Sequence, residues 1–172
     1  FPDKDYPDEC RDLLRQHPEI DLFAFGEGEI PLATLLDKVF AGEPIATLKS
    51  TPQMGFMSIH PETGTLVAGE RNVRLKEMDE FPSPYLTGVM DVFFDGEHSP
   101  MVQLARGCPY ACTFCNAAQS WYNRVGNFSF ERVQAELTFI AEKVKNHPYL
   151  ILAITDSNFG MFERDVEIAR FI

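Results

Sequence analysis

Hydrophobic residues recur at helical spacing in four stretches of the chain, each bounded by residues that start or stop helices. These stretches cover residues 8–17, 30–40, 130–145 and 162–172. Pro18 closes the first stretch, Gly42 follows the second, and Ser129 can cap the third at its amino-terminal end. The pattern therefore predicts four amphipathic helices.

Short runs of apolar and β-branched residues between these helices predict strands. The runs are residues 20–25, 55–59, 65–68, 101–104 and 150–154. The turn-rich sequence HPETG joins the second run to the third, which indicates a β-hairpin. From residue 101 to residue 154 the order is strand, loop, helix and strand, which predicts a βαβ unit with parallel strands.

These patterns divide the chain into three parts and predict an α/β fold class. Residues 1–45 read as helix, strand, loop and helix, as at the edge of an open α/β sheet. Residues 46–96 form a β-containing linker, in which Pro82 and Pro84 favour extended backbone. Residues 97–172 contain the βαβ unit.

Composition and charge limit the classes of protein to which the chain can belong. Hydrophobic residues make up 45% of the 172 residues, as in globular domains. The sequence has neither a signal peptide nor a run of about 18 apolar residues, which predicts a cytoplasmic protein without a membrane segment. The net charge of −11 disfavours a nucleic-acid partner. Because the first residue is Phe1, we expect the chain to be an internal part of a longer protein.

Three of the four cysteines form a CxxxCxxC pattern at Cys108, Cys112 and Cys115. This clustering is unlike a disulfide framework and indicates a metal site in a reducing compartment. Three thiolates from one loop can ligate three irons of an iron–sulfur cluster and leave one iron open. A zinc site is an alternative, but the nearest histidine, His98, lacks paired spacing. A ferredoxin-like carrier is another, and it would need Cys10 from a distant predicted helix.

The segment LARGCPYACTFC resembles the cluster loop of radical S-adenosylmethionine (SAM) enzymes, in particular of members with an upstream cobalamin-binding domain. The resemblance implies that the three cysteines hold a four-iron four-sulfur (4Fe-4S) cluster whose open iron binds SAM. It also implies that Phe114 lies beside the adenine of SAM. In the family, electron transfer from the cluster cleaves SAM to methionine and a 5′-deoxyadenosyl radical.

Asp156 is the candidate for binding the ammonium group of SAM. The family holds that group with a Gly-Gly-Glu-like motif after the second barrel strand, where this chain reads Thr155, Asp156, Ser157 and Asn158. A carboxylate at the carboxyl end of a barrel strand is placed where active sites form. The alternative is that Asp156 and Ser157 only cap the helix that follows.

The segment DLFAFGEGEIPLATLL resembles the last strand and helix of the cobalamin-binding domain in these enzymes. Gly26 and Gly28 permit a tight turn and close approach of the backbone to a ligand at a helix amino-terminus. A dinucleotide site is disfavoured because Glu27 and Glu29 would repel pyrophosphate. The alternative is a plain strand-to-helix turn whose acidic residues favour the helix dipole. No histidine lies in a DxHxxG pattern, so the sequence leaves open how cobalamin is ligated.

By resemblance, residues 1–45 are the C-terminal edge of a Rossmann-like cobalamin-binding domain, residues 46–96 its β-containing linker, and residues 97–172 the first units of a radical SAM partial (β/α) barrel. The implied cofactors are the 4Fe-4S cluster, SAM and, in this subgroup, cobalamin, with methyl transfer as the reaction. The implied partners are an electron donor such as flavodoxin or ferredoxin and a small-molecule or peptide substrate. A non-catalytic metal-binding module and a tRNA-modifying radical SAM enzyme are the alternatives.

Overall fold

The computed structural model describes residues 5–115 and 122–172. The helices of this part are α1 Pro7–Gln16, α2 Glu29–Phe40, α3 Ile45–Ser50, α4 Phe130–Val144 and α5 Glu163–Phe171. The strands are short: β1 Phe23–Ala24, β2 Phe56–Ile59, β3 Leu66–Ala68, β4 Met101–Val102, β5 Ala105–Arg106, β6 Gly126–Asn127 and β7 Ala153–Ile154. Among these described helices, none combines the length and the apolar character that a membrane crossing requires.

The four helices predicted from periodicity are confirmed as α1, α2, α4 and α5, with ends within about one residue of the prediction. Ser129 caps α4 as expected, since its Oγ accepts a hydrogen bond from the N–H of Arg132 at 3.1 Å. The N–H of Ser129 in turn donates to Asp79 Oδ1 at 2.9 Å. This end of α4 is therefore fixed from two sides.

The chain folds as two units, one ending at Arg74 and the other beginning at Leu75. In the first unit β1, β2 and β3 form an antiparallel sheet in that order, and β2 with β3 is the predicted hairpin. Buried side chains on α1, β2 and the end of β1 form one apolar cluster: Cys10, Leu14, Phe25 and Met57. A second cluster joins α2, α3 and β2: Leu35, Leu48 and Phe56.

Two features of the first unit differ from the sequence prediction. Helix α3 was not predicted, because six residues with one buried side chain, Leu48, are too few to show a helical period. Strand β1 is shorter than residues 20–25 and shares its sheet with the hairpin that the sequence assigned to the linker. The proposed part boundaries at residues 45 and 96 stay predictions.

The second unit contains the βαβ unit that the sequence predicted. β4 and β7 pair in parallel, with Met101 opposite Ala153 and Val102 opposite Ile154, and α4 lies between them in the chain. Of the predicted strand at residues 150–154, only Ala153 and Ile154 pair with β4, since β4 is itself two residues long. In the core of this unit, α4 and α5 pack against the two strands. The buried residues of this core are Tyr85, Val102, Leu104, Val133, Leu137, Ile140 and Ile168.

Candidate metal and cofactor site

The three clustered cysteines lie in the segment between β5 and β6, residues 107–125, which we call the cysteine loop. β5 and β6 pair antiparallel, with Ala105 opposite Asn127 and Arg106 opposite Gly126. The N–H of Cys108 donates to the carbonyl oxygen of Tyr122 at 2.9 Å. The two ends of the cysteine loop therefore lie next to each other. Its residues 116–121 lie outside the described part of the chain.

Gly107 allows the two ends of the cysteine loop to approach each other. A Cβ at this position would clash with the carbonyl oxygen of Arg124 and would lie 3.0 Å from that of Tyr122. Its φ of +109° is also a conformation that residues with a side chain rarely adopt. The glycine before Cys108 is thus required by backbone packing, a physical reason that the sequence alone did not reveal.

The cysteine side chains are free thiols, with Cys108 partly buried and Cys112 and Cys115 exposed. The N–H of Cys115 donates to the carbonyl oxygen of Cys112 at 3.1 Å. The thiols do not converge: within residues 5–115 and 122–172, no group of three or more His, Cys, Asp or Glu side chains is placed to hold a metal ion. The assignment of these cysteines as cluster ligands stays a prediction.

The donor set of the cysteine loop nevertheless suits an iron–sulfur cluster. Thiolates are the usual iron ligands of such clusters, and three come here from one short segment of chain. Cys10, the fourth cysteine, is fully buried in the first unit among apolar side chains. Phe114, the predicted adenine contact, is 90% exposed, so its ring is not committed to the protein core.

Asp156 follows β7, at the carboxyl end of the parallel pair of strands. Its Oδ1 accepts a hydrogen bond from the N–H of Leu104 at 2.7 Å, so the carboxylate ties β7 to the chain entering the cysteine loop. Burial raises the pKa of Asp156, and the backbone N–H groups of Leu104 and Ala105 lower it by a smaller amount. The Asp165 carboxylate also raises this pKa, whereas Arg164 lowers it.

The alternative that Asp156 and Ser157 only cap the following helix is wrong, because α5 begins at Glu163 and Phe162 occupies its cap position. The carboxylate that fixes the start of α5 is that of Asp165, whose Oδ2 accepts from the N–H groups of Gly160 and Phe162, both at 3.0 Å. Asp156 points instead to the backbone of Leu104. Its proposed contact with SAM is left as a prediction.

A small pocket lies beside Asp156 and opens next to the start of the cysteine loop. It is lined by Ala105, Gly107, Val125, Asp156, Ser157, Asn158, Phe162 and Asp165. The side-chain nitrogen Nδ2 of Asn158 is buried without a hydrogen-bond partner among the described residues. A buried amide donor without a partner is costly, and a single acceptor atom in this pocket, which has room for about one water molecule, would satisfy it. Asn158 lies in no sequence pattern that would have marked it as a binding residue.

The GEGE segment of the first unit forms the predicted strand-to-helix turn between β1 and α2. Gly26 has a φ of +75°, and Gly28 is the residue that caps α2. A Cβ at Gly28 would meet no atom within 4 Å, so the protein leaves space there. Glu27 is 8% exposed, and its Oε1 lies 2.8 Å from Nε of Arg74. That ion pair compensates the negative charge by which Glu27 was expected to repel phosphate.

No protein-family model matches the chain. The 2-(S-pantetheinyl)-carbapenam-3-carboxylate methyltransferase of Streptantibioticus cattleyicolor is 35% identical over 170 residues, which are 95% of this chain and 24% of that protein. The cobalamin-dependent radical SAM methyltransferase TokK of Streptomyces tokunonensis is 34% identical over 170 residues, 95% of this chain and 23% of that protein. The chain therefore spans about a quarter of the length of these curated relatives.

Among solved structures, OxsB is described as a cobalamin-dependent SAM radical enzyme with aqua-cobalamin and SAM bound. It matches with a TM-score of 0.64 at 19% identity, over 92% of this chain and 21% of that chain. The likeness shows that the α/β fold resembles part of OxsB. Because the identity to the two methyltransferases extends through both units and well beyond the cysteine loop, the chain belongs to the radical SAM enzyme family, in the subgroup that carries a cobalamin-binding domain.

Proposed function

We propose that the protein is a cobalamin-dependent radical SAM methyltransferase in which Cys108, Cys112 and Cys115 ligate a 4Fe-4S cluster. When bound, the cluster supplies the electron that cleaves SAM to methionine and a 5′-deoxyadenosyl radical. The observation that carries this proposal is the cysteine loop, which presents three free thiols beyond the carboxyl end of the parallel strand β4. Three protein ligands leave one iron open to SAM.

The chain's own residues around the pocket bind and orient SAM in this proposal. Asp156 accepts a hydrogen bond from the ammonium group of SAM. Its carboxylate carries the opposite charge, and burial strengthens the attraction. Asn158 donates its unpartnered amide to an acceptor of the ligand. Phe114 stacks on the adenine with a ring that is otherwise exposed.

The first unit contributes the cobalamin side of the proposal. Residues 1–45, in which β1 pairs antiparallel with β2, form the edge of a Rossmann-like domain. Gly26 and Gly28 let the backbone approach cobalamin, and the open space at Gly28 supports that role. Residues 46–96 link this edge to the first barrel units at residues 97–172.

The reaction we propose is transfer of a methyl group to a small-molecule or peptide substrate. Its support is that both relatives described above are named methyltransferases. The electron donor is a small redox protein such as flavodoxin or ferredoxin. Cys108, Cys112 and Cys115 are free thiols, which fits a reducing cytoplasm, and the net charge of −11 argues against a tRNA substrate.

Cysteine variants of the full-length protein test the ligand assignment. After anaerobic reconstitution, Cys108→Ala, Cys112→Ala and Cys115→Ala should each lose the cluster. The loss is measured as bound iron and as the visible absorbance of the iron–sulfur cluster. Cys10→Ala is the matched control and should keep the iron, because Cys10 is buried in the first unit. Equal loss of iron from Cys10→Ala would indicate a four-cysteine site and contradict the SAM assignment.

A further inference from the structure

Arg164, the second residue of α5, reaches both sides of the β5–β6 pair that closes the cysteine loop. Its Nη1 donates to the carbonyl oxygen of Leu104 at 3.3 Å and to Oδ1 of Asn127 at 3.0 Å. Its Nη2 donates to the carbonyl oxygen of Phe128 at 2.8 Å. Leu104 precedes β5 and Phe128 follows β6. One side chain from outside the loop therefore joins the two segments from which the loop emerges.

Leu104 is held by charged partners on both of its backbone groups. Its side chain is fully buried, so its N–H and carbonyl oxygen must find partners within the protein. The N–H donates to Asp156, and the oxygen accepts from the N–H of Phe128 at 3.2 Å as well as from Arg164. Hydrogen bonds with an ionised partner are stronger than neutral ones. The entry to the cysteine loop is therefore fixed more firmly than the pairing of β5 with β6 alone would allow.

Arginine has the donor geometry that this position needs. The guanidinium presents several N–H groups in a rigid plane and can bind acceptors on two segments at once. A lysine has a single flexible ammonium and fixes the distance between Leu104 and Phe128 less well. A loop whose ends are already held loses less conformational freedom when it binds a ligand.

We propose that Arg164 is a positioning residue for the cysteine loop. Through the backbone of Leu104 and Phe128, it holds the two ends of the loop together, which limits the conformations from which the three thiols converge on a cluster when one binds. Arg164 itself contacts neither the cluster nor SAM. The inference rests on the proposed function for its purpose, but its effect on the loop ends is measurable without any cofactor.

The test compares Arg164→Met, Arg164→Lys and Arg170→Met in the full-length protein. Arg170 is exposed on the same helix, so its variant controls for loss of one positive charge from α5. Hydrogen exchange is measured on the cluster-free protein, and iron loss to a chelator is measured after reconstitution. We expect Arg164→Met to accelerate exchange at the amides of Leu104 and Phe128, and iron loss, by about tenfold or more. Arg164→Lys should restore part of both, and Arg170→Met should change neither.

Three results would overturn the proposal. One is unchanged exchange at the Leu104 and Phe128 amides in Arg164→Met. Another is acceleration spread evenly over the second unit, which would make Arg164 a general stabiliser of the fold. The third is faster exchange with iron loss equal to that of the wild type. A wild-type protein that binds no cluster would instead contradict the proposed function, and the exchange measurement, which needs no cluster, separates the two failures.

Discussion

Asp156 contributes to the fold through its bond to Leu104 and, in our proposal, to the ligand through its charge. Because burial raises its pKa above the ordinary 3.8, ionisation of Asp156 is less favourable in the folded protein than in the unfolded chain. The stabilisation that comes from this raised pKa is therefore present below the unfolded pKa of Asp156 and is lost as the pH rises through its folded pKa. A ligand cation would offset this cost, which suits a carboxylate that binds an ammonium group.

Two substitutions separate the roles of Asp156. Asp156→Asn keeps an oxygen that can accept from Leu104 but removes the charge, whereas Asp156→Ala removes both. We expect both variants to keep the cluster and to raise the dissociation constant for SAM by about tenfold or more, as loss of a charge-assisted hydrogen bond does. Calorimetric titration of the reconstituted protein with SAM measures this. An unchanged dissociation constant in Asp156→Asn would leave Asp156 with the Leu104 contact alone.

Asp79 should stabilise the protein in a way that disappears in acid. Although desolvation raises its pKa, the hydrogen bonds from Ser129 and the charge of Arg132 lower it below the ordinary 3.8 overall. A lowered pKa gives stability that is present above the unfolded value and lost as the pH falls through the folded value. We expect Asp79→Asn to reduce the thermal unfolding midpoint at about pH 6 and to differ less from the wild type at about pH 3.

The neighbouring variant Glu80→Gln is the control for Asp79→Asn, because Glu80 is exposed on the same short turn. Thermal scans by circular dichroism across this pH range make the comparison. A difference between Asp79→Asn and the wild type that stays constant from neutral to acid pH would exclude the carboxylate as its cause.

At the scale of elements, the sequence predicts what local patterns control. Helix α4 was predicted with its capping residue Ser129, because an apolar stripe and a cap leave clear signals in the sequence. Helix α3 and the pairing of β5 with β6 were not predicted. Both are short, and β5–β6 depends on contacts between residues about 20 positions apart, to which no periodic pattern corresponds. The same limit applies to the candidate site. The cysteine spacing is visible in the sequence, but the Arg164 contact to Leu104 spans 60 positions.

Position 107, where the two ends of the cysteine loop approach each other, requires a glycine. Gly107→Ala would place a Cβ against the carbonyl oxygen of Arg124 and also demand an unfavourable φ. Gly42→Ala is the matched control, since Gly42 has a φ of +87° and a Cβ at that position would meet no atom within 4 Å. We expect Gly42→Ala to cost about 1 kcal/mol of unfolding free energy and to leave cluster binding intact.

Gly107→Ala should cost more than that control and should also reduce the iron bound after reconstitution. Urea denaturation followed by circular dichroism gives the stability of both variants, and iron analysis gives the cluster content. Equal stability losses and full iron content in both variants would show that the close approach at Gly107 is unimportant for the loop.

At the scale of the whole molecule, the chain consists of two units that divide between Arg74 and Leu75. The first presents the GEGE turn with its Glu27–Arg74 ion pair, and the second presents the cysteine loop and the pocket beside Asp156. Relatives that are 34–35% identical match both units, so family membership rests on similarity along nearly the whole chain.

Electron paramagnetic resonance of the anaerobically reconstituted, dithionite-reduced full-length protein, recorded with and without SAM, tests the central claim most directly. We predict a 4Fe-4S signal whose g values shift when SAM is added, because SAM binds the iron that the three cysteines leave open. A protein that binds zinc instead of iron, or a cluster whose signal is the same with and without SAM, would contradict the account.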